Sequence, residues 1–181
     1  MNLTKLSLAL SCCVAISMLG GCAATVKSSG SDTLAIREAA KRNIILELQG
    51  NTRVEQNKDW PRLKEEWSQA LHVEATQAGY GLAEPQPMNP VEKDGIGLRI
   101  NVTNFRYLTP GARYSAGVMV GNAWINSSAD FTDLKSGQLI GSRTYDTSSS
   151  AWEGVMSAMT EEQVQAIARQ IISDIKRAKA L

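Results

Sequence analysis

The sequence predicts an α+β domain of two layers, an antiparallel sheet of about four strands packed by two amphipathic helices. Three observations carry that expectation. Apolar residues recur at helical spacing over 60–78 and again over 164–178, the spacing changes to strict alternation from residue 96, and turn residues separate these stretches. A helix or sheet with one apolar side must bury it, and here each supplies cover for the other.

In chain order, residues 33–42 (TLAIREAAKR) have the composition of a short helix, and the apolar run Ile44-Ile45-Leu46-Glu47-Leu48 reads as a first strand ended by Gly50. Asp59-Trp60-Pro61 is a helix start, with Asp as cap and Pro in the first turn, where its missing N–H does no harm. Trp60, Leu63, Trp67, Ala70, Leu71 and Ala78 then fall in one stripe, and Gly79 supplies the stop. Residues 84–95 hold three prolines and read as an exposed loop, a plain connection before a binding segment. From Ile96 the period is 2, with Ile96, Leu98, Ile100 and Val102 on one side and Gly97, Arg99, Asn101 and Thr103 on the other.

A second long strand is expected from about Ala116 to Thr132. Val118 and Val120 share one phase there, Ala123, Ile125, Ala129 and Phe131 the other, and the slip at Gly121-Asn122 suggests a β-bulge. Asp133 to Gly137 reads as a hairpin turn into a third strand over 138–147. The closing helix begins at Thr160-Glu161-Glu162-Gln163, which has the form of a capping box, with Met159 and Val164 placed as a hydrophobic staple. Its stripe is Val164, Ile167, Ala168, Ile171, Ile175 and Ala178.

Ahead of all this, Lys5 and the thirteen uncharged residues Leu6 to Met18 match an export signal and fall short of a membrane-spanning helix. Leu19-Gly20-Gly21-Cys22 then resembles the lipobox of bacterial lipoproteins, in which small residues let a peptidase grip extended backbone and the cysteine receives a diacylglyceryl group. The expected divisions are a signal peptide over 1–21, a lipidated N-terminus and tether over 22–42, and a periplasmic α+β domain over 43–181. Cys12 and Cys13 leave with the signal, so Cys22 is the one cysteine of the mature chain and no internal disulfide is expected. Acyl chains contribute ~0.8 kcal/mol per buried CH₂, so several together hold far more firmly than one. By the sorting rule of Gram-negative lipoproteins, Ala23 in place of Asp implies the outer membrane. Residues 23–32 are small and polar and read as a flexible tether with a reach of about 17 Å.

Removing 21 residues leaves 160, enough for one domain with a core, carrying 18 basic and 18 acidic side chains. Such a balance argues against nucleic acid, whose backbone demands a basic surface. His72 lies ~180° from the middle of its helix stripe, facing solvent, with no second histidine or cysteine for zinc. Ser173-Asp174-Ile175-Lys176 matches S-x-x-K in form, yet no Lys-Thr-Gly or Ser-Asp-Asn element accompanies it. Gly117 and Gly121 are too far apart for a phosphate loop. Glu65-Glu66 and Glu161-Glu162 sit in early helical turns, where the dipole favours carboxylates. No catalytic residue, metal site or cofactor other than the covalent lipid on Cys22 is expected. Trp124 and Trp152 are candidate interface aromatics, weighed against core packing.

From about Asn43 onward the chain resembles the domain-of-unknown-function 4410 family of bacterial lipoproteins. Phe105 with Pro110-Gly111, the Gly-punctuated strand Gly117 to Trp124, the Asp133 to Gly137 turn and the closing helix carry the resemblance. It implies an envelope location and an α+β fold, and brings no catalytic residues. The expected function is a non-catalytic outer-membrane lipoprotein whose periplasmic domain contacts another envelope protein. The alternative is a binder or carrier of an apolar ligand, lipid or peptide, motivated by the Trp60 and Trp67 stripe and the Gly-rich strand.

Overall fold

A computed structural model describes residues 24–30, 33–83, 94–109, 111, 122–148 and 159–181. In chain order the elements are β1 (Val26–Ser29), α1 (Glu38–Lys41), β2 (Asn43–Gly50), α2 (Thr52–Glu55), α3 (Trp60–Gln77), β3 (Gly81–Ala83), β4 (Ile96–Arg106), β5 (Trp124–Asp133), β6 (Leu139–Ser148) and α4 (Thr160–Arg177). The two-layer α+β plan with two long helices is present, but the sheet differs from the expected one. It has six strands in the order β1-β6-β5-β4-β2-β3 and is mixed, because β2 runs parallel to both β3 and β4.

Each departure has a local cause. Between β2 and β4 the chain makes α3, and a crossover through a helix returns it parallel, whereas only a tight turn enforces an antiparallel pair. β3 is three residues long, too short to display a period. β1, with the sequence VKSS, shows no alternation of apolar residues and joins the sheet edge through its backbone, Val26 opposite Thr147 and Ser29 opposite Thr144. Residues 26–29 of the expected tether are therefore an edge strand. Leu34, Ile36 and Ala40 are buried in the core, so the folded body starts well before Asn43.

The alternation in β4 and β5 meets its expected fate. Ile96, Leu98, Ile100 and Val102, and with them Ile125, Ala129 and Phe131, are fully buried against the helices. Register shifts fall between Val102 and Asn104 and between Phe131 and Thr132. The expected bulge at Gly121-Asn122 and the strand before it fall largely outside the described residues. Asp133 Oδ1 accepts from the amides of Lys135 and Ser136 at 3.0 and 2.9 Å, and Gly137 takes φ +70°, where a side chain would be strained. The predicted hairpin turn is thus formed by the predicted residues.

On the helices, Leu63, Trp67 and Leu71 of α3 and Val164, Ile167, Ala168, Ile171 and Ile175 of α4 are fully buried, joining the sheet in one core. Burying a side chain of that size stabilises by about 1.5–3 kcal/mol each before entropy is counted. Both expected caps turn out otherwise. Asp59 has helical backbone angles and makes no side-chain cap; its own amide donates to Asn57 Oδ1 at 2.9 Å. At α4 the cap position is Met159, and Thr160 and Gln163 face the sheet instead of each other. Thr160 Oγ1 accepts from the Leu108 amide at 2.8 Å, while Gln163 donates to the Ala123 carbonyl at 3.0 Å and shares a hydrogen bond with the Thr147 hydroxyl at 3.0 Å. Buried polar groups bind whichever partner saves the larger desolvation cost, and here strand ends outrank the helix's own amides.

Candidate functional site

Of the residues singled out in the sequence, Leu19, Gly20, Gly21, Cys22 and Trp152 lie outside the described residues, as do Gly117, Gly121 and most of the Pro-rich loop. Trp124 is described, half-buried as the first residue of β5. His72 is exposed, and no group of three potential metal ligands exists among the described residues. Ser173 is half-buried in α4 beside Asp174, whose carboxylate is occupied by the Tyr145 hydroxyl at 2.7 Å and Gln170 at 2.9 Å. Nothing there activates a serine. Trp60 and Trp67 are 5% and 0% exposed, so the aromatic stripe that motivated a ligand-carrier reading is part of the core.

The strand registers place Trp124 at one end of the sheet. Arg106 pairs with Trp124, Trp124 pairs with Ser148, and Val26 sits opposite Thr147. The Arg106 guanidinium stands 5.5 Å from the centre of the Trp124 ring, a cation over an aromatic face on a half-buried, half-wet position.

Just past Arg106, the chain presents a polar constellation that sequence reasoning missed. Tyr107 donates its hydroxyl to Glu66 Oε1 on α3, and Arg62, one turn earlier, lies 5.0 Å over the Tyr107 ring with its Nε 3.4 Å from the same carboxylate oxygen. Glu66 Oε2 is buried with no partner. Burial pushes the Glu66 carboxyl above its ordinary range, the Tyr107 hydrogen bond and Arg62 pull it back, and Glu161 on α4 adds to the rise. Burial and the hydrogen bond to Glu66 push the Tyr107 hydroxyl far up, so it stays a donor. The dipole explanation suffices for Glu65 and Glu161, which are exposed, and not for Glu66. The signal available in the sequence was Tyr107 itself, an aromatic with a polar tip directly after a strand whose last buried residue is Phe105.

A groove of ≈ 430 Å³ runs between α3 and α4 over this constellation, lined by Arg62, Glu65, Glu66, Glu74, Glu161 and Arg169 among others. Arg169 closes part of it by pairing with Glu74 at 3.2 Å. Charged and polar side chains line it together with Ala70 and Val73.

No protein-family model matches this chain, and no curated protein does. Solved structures are similar to it in part. The PelC dodecamer from Paraburkholderia phytofirmans superposes with a TM-score of 0.52 at 13% identity, covering 87% of this chain and 100% of that one. A variant PelC dodecamer from the same organism gives 0.47 at 15% identity over 83% and 95% of the two chains. A protein of Xanthomonas campestris in domain-of-unknown-function family 330 gives 0.42 at 11% identity, over 79% and 90%. At such identities the likeness is one of fold alone. Of the motifs behind the 4410 resemblance, the turn at Asp133 to Gly137, the buried Phe105 and the closing helix are in place, and the others fall mainly outside the described residues.

Proposed function

We propose that this protein is an outer-membrane lipoprotein of the domain-of-unknown-function 4410 kind, anchored by diacylglyceryl at Cys22. In this reading its periplasmic domain is a non-catalytic interaction component of the envelope. The observation that carries it is Leu19-Gly20-Gly21-Cys22 behind an uncharged run of signal length, followed by Ala23. Cys22→Ser is expected to abolish palmitate labelling and leave an uncleaved or mislocalised precursor, read by metabolic labelling and membrane fractionation. A labelled protein in the outer-membrane fraction of that variant would overturn the reading. A hydrolytic activity of the wild-type protein, lost on one serine or carboxylate substitution, would overturn its non-catalytic part.

A second reading, self-association, is favoured by one observation: the neighbour at TM-score 0.52 is a dodecamer. Native mass spectrometry of the detergent-solubilised lipoprotein tests it, with a mass of several chains expected and a monomer at all concentrations against it.

A further inference from the structure

Asp94-Gly95 is the one Asp-Gly pair in the sequence, and no Asn-Gly occurs. We propose that this dipeptide, at the entry to β4, is a site of isoaspartate modification that the Arg37 ion pair holds in check. The chemistry needs no enzyme. The lone pair of the Gly95 amide nitrogen attacks Cγ of a protonated Asp94 carboxyl, and the N–Cγ bond forms. Water leaves, made of the carboxyl hydroxyl and the amide proton. A second water then opens the succinimide. Breaking the new N–Cγ bond restores aspartate, whereas breaking the older bond between nitrogen and the α-carbonyl carbon leaves isoaspartate, with the chain running through Cβ and Cγ. Glycine makes the pair labile, since no side chain hinders its amide and its backbone reaches the angles that ring closure requires.

Both residues are held in place by the fold. A Cβ on the buried Gly95 would lie 3.0 Å from the Asn43 carbonyl oxygen and 2.7 Å from Cδ1 of the buried Leu134, so the position requires glycine. The Asp94 carboxylate pairs with Arg37 Nη1, while Arg37 Nε and Nη2 donate to Asp133 Oδ2 at 3.3 and 2.8 Å. One guanidinium thus ties the chain entering β4 to the end of β5, and the rigid fork of arginine suits it to hold two carboxylates. The same fork protects the dipeptide. A carboxylate has no hydroxyl to lose as water, and its charge repels the nitrogen lone pair. Two hydrogen bonds brace the backbone on either side of the reacting bond: Asn43 Nδ2 donates to the Asp94 carbonyl at 3.0 Å, and the Leu134 amide donates to the Gly95 carbonyl at 3.0 Å. Isoaspartate inserts a backbone methylene between those two braces, so the modification would loosen the clasp that joins β4 to β5.

The test incubates the full-length protein in detergent at physiological pH and temperature. Electron-transfer fragmentation of the peptide holding residue 94 counts isoaspartate, and circular dichroism reports the fold of each sample. Isoaspartate is expected to form several-fold more slowly in the folded parent than in the parent held unfolded by denaturant. Folded Arg37→Gln is expected to form it several-fold faster than the parent, and folded Arg37→Lys, which keeps the charge, to stay near the parent rate. Asp133→Asn disturbs the same clasp but leaves the Arg37 charge against Asp94, so it is expected to stay slow. A folded parent as fast as the unfolded one overturns the proposal, as does a folded Arg37→Gln no faster than the parent. An equal rise in Asp133→Asn or in Arg37→Lys overturns the protective role of the ion pair, and no isoaspartate even in denaturant overturns the site itself. If Arg37→Gln does not fold, the parent at raised salt takes its place, because salt weakens a partly exposed ion pair. Faster modification with the fold kept is then expected, and an unchanged rate overturns the proposal.

Discussion

At the pole where β5 turns into β6, the molecule is fastened by charge. Arg37 donates to Asp133 Oδ2 through Nη2 at 2.8 Å and pairs also with Asp94, ahead of β4. Lys41, buried, donates from Nζ to the Ala178 carbonyl at 2.9 Å and to Glu38 at 2.6 Å, placing a cation against the last carbonyls of α4. At the Trp124 pole α4 is tied to the strands by neutral groups, Thr160 to Leu108 and Gln163 to Thr147 and Ala123, beside a Glu66 carboxyl that takes the Tyr107 hydroxyl and the Arg62 guanidinium. The contrast follows α4. Its carbonyl end attracts cations and its amide end does not, so the charged ties collect where the helix finishes. A pole held by ion pairs answers to salt and acid in the opposite way from one held by neutral hydrogen bonds around a reluctant carboxyl.

The largest expected effect breaks the charged pole. Lys41→Met keeps the apolar stem and removes the ammonium, leaving the buried Ala178 carbonyl without its donor. Hydrogen bonds to charged groups contribute about 1.5–3 kcal/mol, and a loss in that range should appear in denaturant unfolding as a lower midpoint with an unchanged slope. Hydrogen exchange should quicken first in the last turns of α4. A variant as stable as the parent would mean that water replaces the lysine and that Lys41 is no fastening.

Thr160→Val makes the matching cut at the neutral pole. The shape is kept, but the amide of the buried Leu108 loses its acceptor. About 1–2 kcal/mol is expected, the cost of one unsatisfied buried amide, with no dependence on salt. Equal salt dependence in this variant and in Lys41→Met would erase the distinction between the poles.

The same contrast explains what was legible in the sequence. Covered faces are written as periods, and the stripes of α3 and α4 and the alternation in β4 and β5 translate directly into buried residues. The turn at Asp133 is written in residue types with one use. Strand pairing is not written locally, since VKSS and GLA become edges only because β6 and β2 leave their backbones open. Thr160 and Gln163 show a further limit. Their spacing suits a capping box, and whether they serve the helix or the sheet depends on Leu108, Ala123 and Thr147, which no window around residue 160 contains. Glu66 was hidden in the same way behind Tyr107, far along the chain.

The smallest effect sharpens the comparison through pH. Glu66 has its carboxyl raised in the folded protein, so between the ordinary carboxyl range and the raised value the native state holds more proton than the unfolded chain. Stability from this group therefore falls as pH climbs through that window and is recovered on acidification. Asp133 is the reverse. Burial works to raise it, but hydrogen bonds from Arg37 and the Ser136 amide, with the charge of Arg37, prevail and hold it low. Its contribution is present above the ordinary aspartate range and is lost as pH falls through the lowered value. Glu66→Gln keeps an acceptor for Tyr107 and cannot ionise, so its melting temperature should rise relative to the parent as pH climbs through the carboxyl window. Asp133→Asn should be less stable than the parent at neutral pH, with the deficit closing under acid. Thermal unfolding from about pH 3 to about pH 8 reads both, since the reference carboxyl values lie within that span. If the two differences run with pH in the same direction, the poles are not electrostatically distinct. If they diverge, acid loosens the charged pole while tightening the one that carries Trp124.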